Sequence, residues 1–210
     1  MFVAFNDYVL VLEAPEQIIY GNNSVQALAK IKETVPGKPI RYLVLTHHHS
    51  DHAGGFREYA AEGATIVTTA GNKSFLEKAA ALESSLLPNV SRQNKLKIEL
   101  VDKKRVFQDD KHVVELYDLG PNPHANEILV AYLPKEKILF QADLLNPAAN
   151  GSIPIAQDAT LSFSERLEKL GLQVEKIYGV HGRPATPAEL RTSVEKRRAS
   201  ELKTEVSGPK

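Results

Sequence analysis

The sequence predicts an α/β fold in one globular domain, and three observations carry that prediction. A continuous apolar run, Ile40 to Leu45, has the composition of a strand buried on both faces. Helical and strand periods alternate around it, from Val25 through Leu82. Beyond Pro88 the texture changes to short strands separated by turn residues, and the chain closes on helix start signals. A chain of 210 residues buries a sufficient core without disulfide or metal staples.

In chain order, Phe2 to Phe5 and Tyr8 to Leu12 read as a hairpin turning at Asn6-Asp7, so the domain begins in the middle of a sheet. Val25, Leu28, Ala29 and Ile31 recur at helical spacing, and Pro36-Gly37 ends that helix before the buried strand. A helix over Gly55 to Ala61, a strand over Thr65 to Thr69 and a helix over Asn72 to Leu82 follow. Leu96 to Val101, Arg105 to Gln108, His112 to Leu119, Glu127 to Leu133 and Lys137 to Phe140 then read as the strands of a meander. Ser162 with Glu165, and Thr186 with Glu189 around Pro187, have the capping-box spacing, which predicts helices beginning near Phe163 and Pro187. Lys176 to Val180 reads as a short strand between them. Residues 1–200 form the domain, and the mixed-charge tail 201–210 is expected to fray.

Composition excludes several classes of function. Lys plus Arg and Asp plus Glu both total 26, so no global positive field draws in nucleic acid or an anionic membrane, and the expected partner is a small-molecule substrate. The basic run Lys196-Arg197-Arg198 lies between Glu195 and Glu201 and reads as a solvated helix face. Cysteine is absent, which removes disulfides, thiolate ligands and a Cys nucleophile; any metal must sit on His and carboxylate. No apolar stretch approaches the roughly 18 residues that span a bilayer, and the opening Met1 to Asp7 lacks the basic segment of a signal peptide.

The chemistry concentrates directly after the buried strand, in Thr46-His47-His48-His49-Ser50-Asp51-His52-Ala53-Gly54-Gly55. Open α/β sheets place their sites at such strand ends. In an extended turn His47 and His49 point the same way and His48 points away, while Asp51 and His52 enter the next turn and face a second position. A local cluster cannot close a coordination sphere alone. Further donors stand in loops at later strand ends: His124, Asp143 and His181. Imidazole and carboxylate suit Zn²⁺ first, with Fe or Mn as alternatives.

This order of H-x-H-x-D-H, later His, later Asp and final His resembles the metallo-β-lactamase superfamily over nearly the whole chain. The resemblance implies a four-layer αββα sandwich with a cleft at one edge where two sheets meet. Carried over position by position, it implies that His47, His49 and His124 hold one metal and Asp51, His52 and His181 a second, with Asp143 bridging them. It implies two divalent ions, zinc in the first instance. A metal-bound hydroxide would then cleave an ester, lactone, thioester, amide or phosphoester, with Asp51 or Asp143 taking up a proton for the leaving group. His48 is expected behind the ligands or in solvent, and His112 on the surface.

Departures from the family's branches narrow the reading. Zinc β-lactamases commonly carry Cys where Asp143 stands and a Lys nearby, whereas Leu144-Leu145-Asn146-Pro147 follows here. Glyoxalase II has Gly-His-Thr around the third ligand and a long C-terminal helical domain; this chain has Pro123-His124-Ala125 and a short tail. Persulfide dioxygenases place the same His and Asp positions around a single iron and are the alternative enzyme; a non-catalytic metal-binding scaffold is the alternative outside enzymology. Family members also carry further strands before an Asp-x-Gly strand end, a place this chain reaches at Glu13-Ala14-Pro15 after one hairpin. The chain is read either as a short natural member or, in preference, as part of a longer precursor. The second reading allows a periplasmic or secreted location and leaves a sheet edge open to homodimerisation. Asn126 and the loop Asn146 to Ala159 are candidates for touching substrate, and Tyr178 reads first as strand packing.

Overall fold

Val9-Leu10-Val11-Leu12 is apolar at every position because both of its faces are covered. Val9 and Val11 enter a cluster with Leu28, Ile31, Phe56 and Tyr59 from helices, while Leu10 and Leu12 meet Val114, Leu116 and Leu129 from a second sheet. The computed structural model describes residues 1–16, 23–81 and 96–206, with side chains to residue 203. Its first half runs β1 (Phe2–Ala4), β2 (Val9–Leu12), α1 (Asn23–Thr34), β3 (Ile40–Val44), α2 (Ser50–Ala53), α3 (Phe56–Ala61), β4 (Thr65–Thr68), α4 (Ala70–Ala81) and β5 (Ile98–Leu100). The second half runs β6 (Lys104–Gln108), β7 (Val113–Asp118), β8 (Leu129–Leu133), β9 (Ile138–Gln141), α5 (Asp158–Leu170), β10 (Lys176–Gly179) and α6 (Pro187–Val206).

The first sheet has the order β1-β2-β3-β4-β5, parallel except for the β1-β2 hairpin. The second has the order β10-β9-β8-β7-β6, an antiparallel meander with β10 added in parallel to β9. Three apolar clusters lie between four layers. One joins α1, α3 and α4 to the first sheet, one fills the space between the sheets, and one joins the second sheet to α5 and α6. β8 shows the arrangement at residue level: Leu129, Ala131 and Leu133 face the first sheet, and Val130 and Tyr132 face the helices. This is an αββα sandwich. Tyr178 packs against the inter-sheet cluster. Among the described residues no helix is long and apolar enough to cross a membrane.

Two elements differ from the sequence reading. The sequence places the strand Leu96 to Val101 in the meander, yet β5 pairs in parallel with β4 and completes the first sheet; a short strand's sequence carries its period but not its partner. The capping-box spacing at Ser162 and Glu165 lies inside α5, which begins at Asp158 after Gln157 without a side-chain cap. The box at Thr186 is real: the Glu189 N–H donates to Thr186 Oγ1 at 3.2 Å, and the Thr186 N–H donates to Glu189 Oε2 at 2.8 Å. α6 continues through Glu201 to Val206; residues 207–210 and Leu82 lie outside the described residues.

The basic run on α6 serves the chain itself. Lys196 Nζ donates to the Ile153 carbonyl at 2.7 Å, Arg197 Nη1 to Ala156 at 3.3 Å, and Ser193 Oγ to Pro154 at 2.8 Å. Arg183 Nη2 adds a bond to the Gly151 carbonyl at 3.2 Å. The loop between β9 and α5 is therefore fastened along its length to α6 and to the loop after β10.

Candidate metal centre

The H-x-H-x-D-H segment leaves the end of β3 and crosses to the other sheet. Leu45 N–H still bonds to the Val67 carbonyl at 3.0 Å, but the Thr46 carbonyl accepts from Leu129 N–H of β8, also at 3.0 Å. His49 is extended, with φ −60° and ψ 147°, and its carbonyl receives the N–H groups of His52 at 3.0 Å and Ala53 at 2.8 Å as α2 begins. His47 and His49 thus lie on the extended stretch, and Asp51 and His52 on the first helical turn. The glycines of the motif have a packing reason. A Cβ on Gly55 would fall 1.9 Å from Ser24 Oγ, and Ser24 is fully buried, so only glycine lets this corner press against the start of α1.

The second sheet supplies the rest. Asn122 holds the loop of His124: its Oδ1 accepts the His124 N–H at 2.8 Å, and its Nδ2 donates to the Ala159 carbonyl at 3.2 Å. Asp143 follows β9 with φ +63°, a left-handed conformation that costs a non-glycine residue of order 1–3 kcal/mol. His181 follows β10.

These seven side chains converge into two groups. His47, His49, His124 and Asp143 form one, Asp51, His52, Asp143 and His181 the other, each with one donor atom per residue and all such atoms within 4.8 Å. Asp143 belongs to both. Its Oδ2 lies 2.7 Å from His52 Nε2, 3.1 Å from His124 Nε2 and 3.6 Å from His47 Nε2, and its Oδ1 lies 3.5 Å from His181 Nε2. Asp51 Oδ2 stands 3.1 Å from His181 Nε2 and 3.4 Å from His52 Nε2.

Burial drives the His47 imidazole down to about 2, with His52, His49 and His124 adding to the effect. His49 is lowered by burial and then by His124 and His48. On His52 burial also opposes charge, but the Asp143 and Glu13 carboxylates outweigh it and hold the pKa up to about 10. For Asp143 burial opposes ionisation, yet the His52 contact and the charges of His52, His124 and His181 bring it down to about 2.

A cation fits this donor set. His47 and His124 turn their Nε2 atoms on each other at 3.1 Å, a separation that two lone pairs tolerate only with a proton or a metal between them. His47 Nδ1 is held 3.0 Å from Thr46 Oγ1, which leaves Nε2 for the cluster. His52 Nε2, fully buried and 2.7 Å from Asp143, still has no well-directed hydrogen bond. Imidazole nitrogens and carboxylate oxygens without thiolate match Zn²⁺, Mn²⁺ or Fe²⁺. Filling the site has a proton consequence. At about pH 7 the metal-free protein carries its proton on His52, and a metal on Nε2 must expel it. Loading is therefore expected to release about one proton per protein, read by calorimetry in buffers of different ionisation enthalpy. Release of none would remove His52 from the ligand set.

Sequence reasoning missed Glu13, except as a place marker. It is buried with φ +70°; its Oε1 accepts the Thr46 N–H at 2.6 Å, and its Oε2 lies 2.9 Å from His52 Nδ1. The carboxylate thereby orients the His52 imidazole from behind and fixes the start of the motif turn. The available signal was one acidic residue closing the apolar run Val9 to Leu12. His48 points away from both groups: its Nδ1 is 3.0 Å from Asn72 Oδ1, and Asn72 is anchored on Thr69 Oγ1 at 2.8 Å. His112 packs its ring edge on Phe5 at 6.1 Å and is half-buried. Asn126 is exposed.

Known proteins share the family and the fold. The sequence profile of the metallo-beta-lactamase superfamily matches residues 21–181, well over half of the chain, and the chain belongs to that superfamily. Solved structures share its fold at low identity. A metallo-beta-lactamase from Pontibacter korlensis has a TM-score of 0.69 at 18% identity, over 94% of this chain and 85% of its own. The metallo-beta-lactamase FIM-1 from Pseudomonas aeruginosa, in its mono-zinc form, has 0.64 at 17%, over 96% and 83%. A metallo beta lactamase from Hirschia baltica has 0.65 at 18%, over 93% and 84%.

Proposed function

We propose that this protein is a metal-dependent hydrolase of small molecules, working with two divalent cations, zinc in the first instance. One observation carries the reading: Asp143 belongs to two complete four-residue donor groups at once. The oxygen and nitrogen donor set suits a borderline divalent cation such as Zn²⁺ and contains no thiolate. His47, His49 and His124 hold one cation, and Asp51, His52 and His181 the other, with Asp143 between them. Bound there, the cations supply Lewis acidity and lower the pKa of water at the site. The protein's own groups divide the remaining work by exposure. The Asp143 side chain is 12% exposed and stays a ligand, whereas the Asp51 side chain is 41% exposed and carries a proton outward to the leaving group. The substrate is an ester, lactone, thioester, amide or phosphoester.

Turnover by zinc-loaded protein on lactones, thioesters, β-lactams and phosphodiesters, with His49→Ala beside it, tests the proposal. At least one class is expected to turn over, and His49→Ala to lose about 10²-fold or more. Equal rates for both proteins on every responsive substrate overturn metal hydrolysis. Recovery of iron with oxygen uptake on a thiol persulfide assigns the dioxygenase chemistry instead.

A further inference from the structure

We propose that Gln141 is a positioning residue for the metal site: its side chain clamps the turn that holds Asp143 in its left-handed conformation and so aims the shared carboxylate. The inference rests on the metal reading above and adds a residue that touches neither metal nor substrate. Gln141 is the last residue of β9 and is fully buried. Its strand neighbour on the same face, Leu139, enters the apolar cluster under α5 and α6. An amide in such a place is costly unless its polar atoms are engaged. They are engaged on the turn itself. Oε1 accepts the N–H groups of Leu144 at 2.7 Å and Leu145 at 3.3 Å, and Nε2 donates to the Leu145 carbonyl at 2.8 Å.

Those bonds bracket Asp143. With φ at +63° the residue holds a left-handed conformation that Asp tolerates better than most L residues but does not prefer, and the two peptide N–H groups that follow are tied back to the strand before it. Leu144 and Leu145 are buried in the same cluster, so the far side of the turn is anchored as well. The neighbouring strand is cut to fit. Gly179 pairs with Gln141 across β10, and a Cβ there would lie 2.7 Å from Gln141 Nε2 and 3.0 Å from the His181 carbonyl. The missing side chain of Gly179 leaves the room that the amide occupies, two residues before His181. Released from the clamp, Asp143 relaxes from positive φ and its carboxylate leaves the histidines.

The test is titration of metal-stripped protein with Co²⁺, followed by its visible d–d spectrum, with folding checked by circular dichroism. Gln141→Met keeps the volume and deletes the hydrogen bonds. It is expected to weaken Co²⁺ binding by about 10-fold to 100-fold and to change the spectrum. Gly179→Ala, which pushes the amide aside, is expected to act in the same direction. A purely structural role lowers the melting temperature and leaves affinity and spectrum of the folded variant at wild-type values; that result overturns the proposal. One measurement needs no variant: in metal-free wild type the Leu144 and Leu145 amides are expected to exchange slowly with solvent, and fast exchange there also overturns it. Wild-type protein that takes up no Co²⁺ defeats the metal reading itself, which is a different failure.

Discussion

Asp143→Asn is expected, on the proposed two-metal reading, to reduce bound metal from two equivalents to at most one and turnover by on the order of 10²–10³-fold or more. Asparagine is the informative replacement because it tolerates the left-handed backbone that Asp143 adopts at φ +63° and keeps the side chain's size. What it removes is the negative charge that faces four imidazoles and the anionic oxygens offered to both donor groups. Alanine would confound that loss with strain. Metal analysis after gel filtration, together with the rate on whichever substrate class responds, reads both effects. Retention of two equivalents would overturn the proposal that Asp143 bridges two metals.

The second large effect is on stability. Glu13→Ala is expected to destabilise the metal-free protein by about 3–5 kcal/mol, the range for breaking a buried ion pair. Two groups lose their partner together: the Thr46 N–H, 2.6 Å from Oε1, and His52 Nδ1, 2.9 Å from Oε2. Urea unfolding near neutral pH measures it, and a loss under about 1 kcal/mol contradicts the pairing. The pH course supplies a check of sign. His52, raised from 6.5 to about 10 in the fold, lends stability that is fully present below 6.5 and is lost as pH rises through about 10. His47, lowered from 6.5 to about 2, works the other way: its share is present above 6.5 and is lost as pH falls towards about 2. Glu13→Ala is therefore expected to flatten the alkaline limb and leave the acid limb in place.

The parts of the site visible in sequence were those set by local period. His47 and His49 stand two apart in extended chain and His52 stands three beyond His49 on a helical turn, so their division between two groups follows from backbone geometry alone. His124, Asp143 and His181 were reachable only because each follows a strand or a tight loop in family order. The residues that hold these in place left no such mark. Glu13 meets Thr46 across 33 positions, and nothing periodic connects them. Gln141 looks like any polar residue at a strand end until its side chain is seen closing on Leu144 and Leu145. The same limit explains the fold: β2, β3 and β8 announced themselves by composition, whereas the sheet to which β5 belongs depended on a pairing choice made elsewhere in space.

The donors hang from two different sheets, and that division has a consequence for biogenesis. Asp51 and His181 approach within 3.1 Å although 130 positions separate them along the polypeptide. At ribosomal speeds of roughly 5–20 residues per second, the early donors wait on the order of ten seconds for the last one to be made. During that interval the group His47, His49, His124 and Asp143 is completed first, at Asp143, whereas the group Asp51, His52, Asp143 and His181 waits for the last histidine. The two donor groups therefore become available in a fixed order during synthesis, the one that contains His181 second.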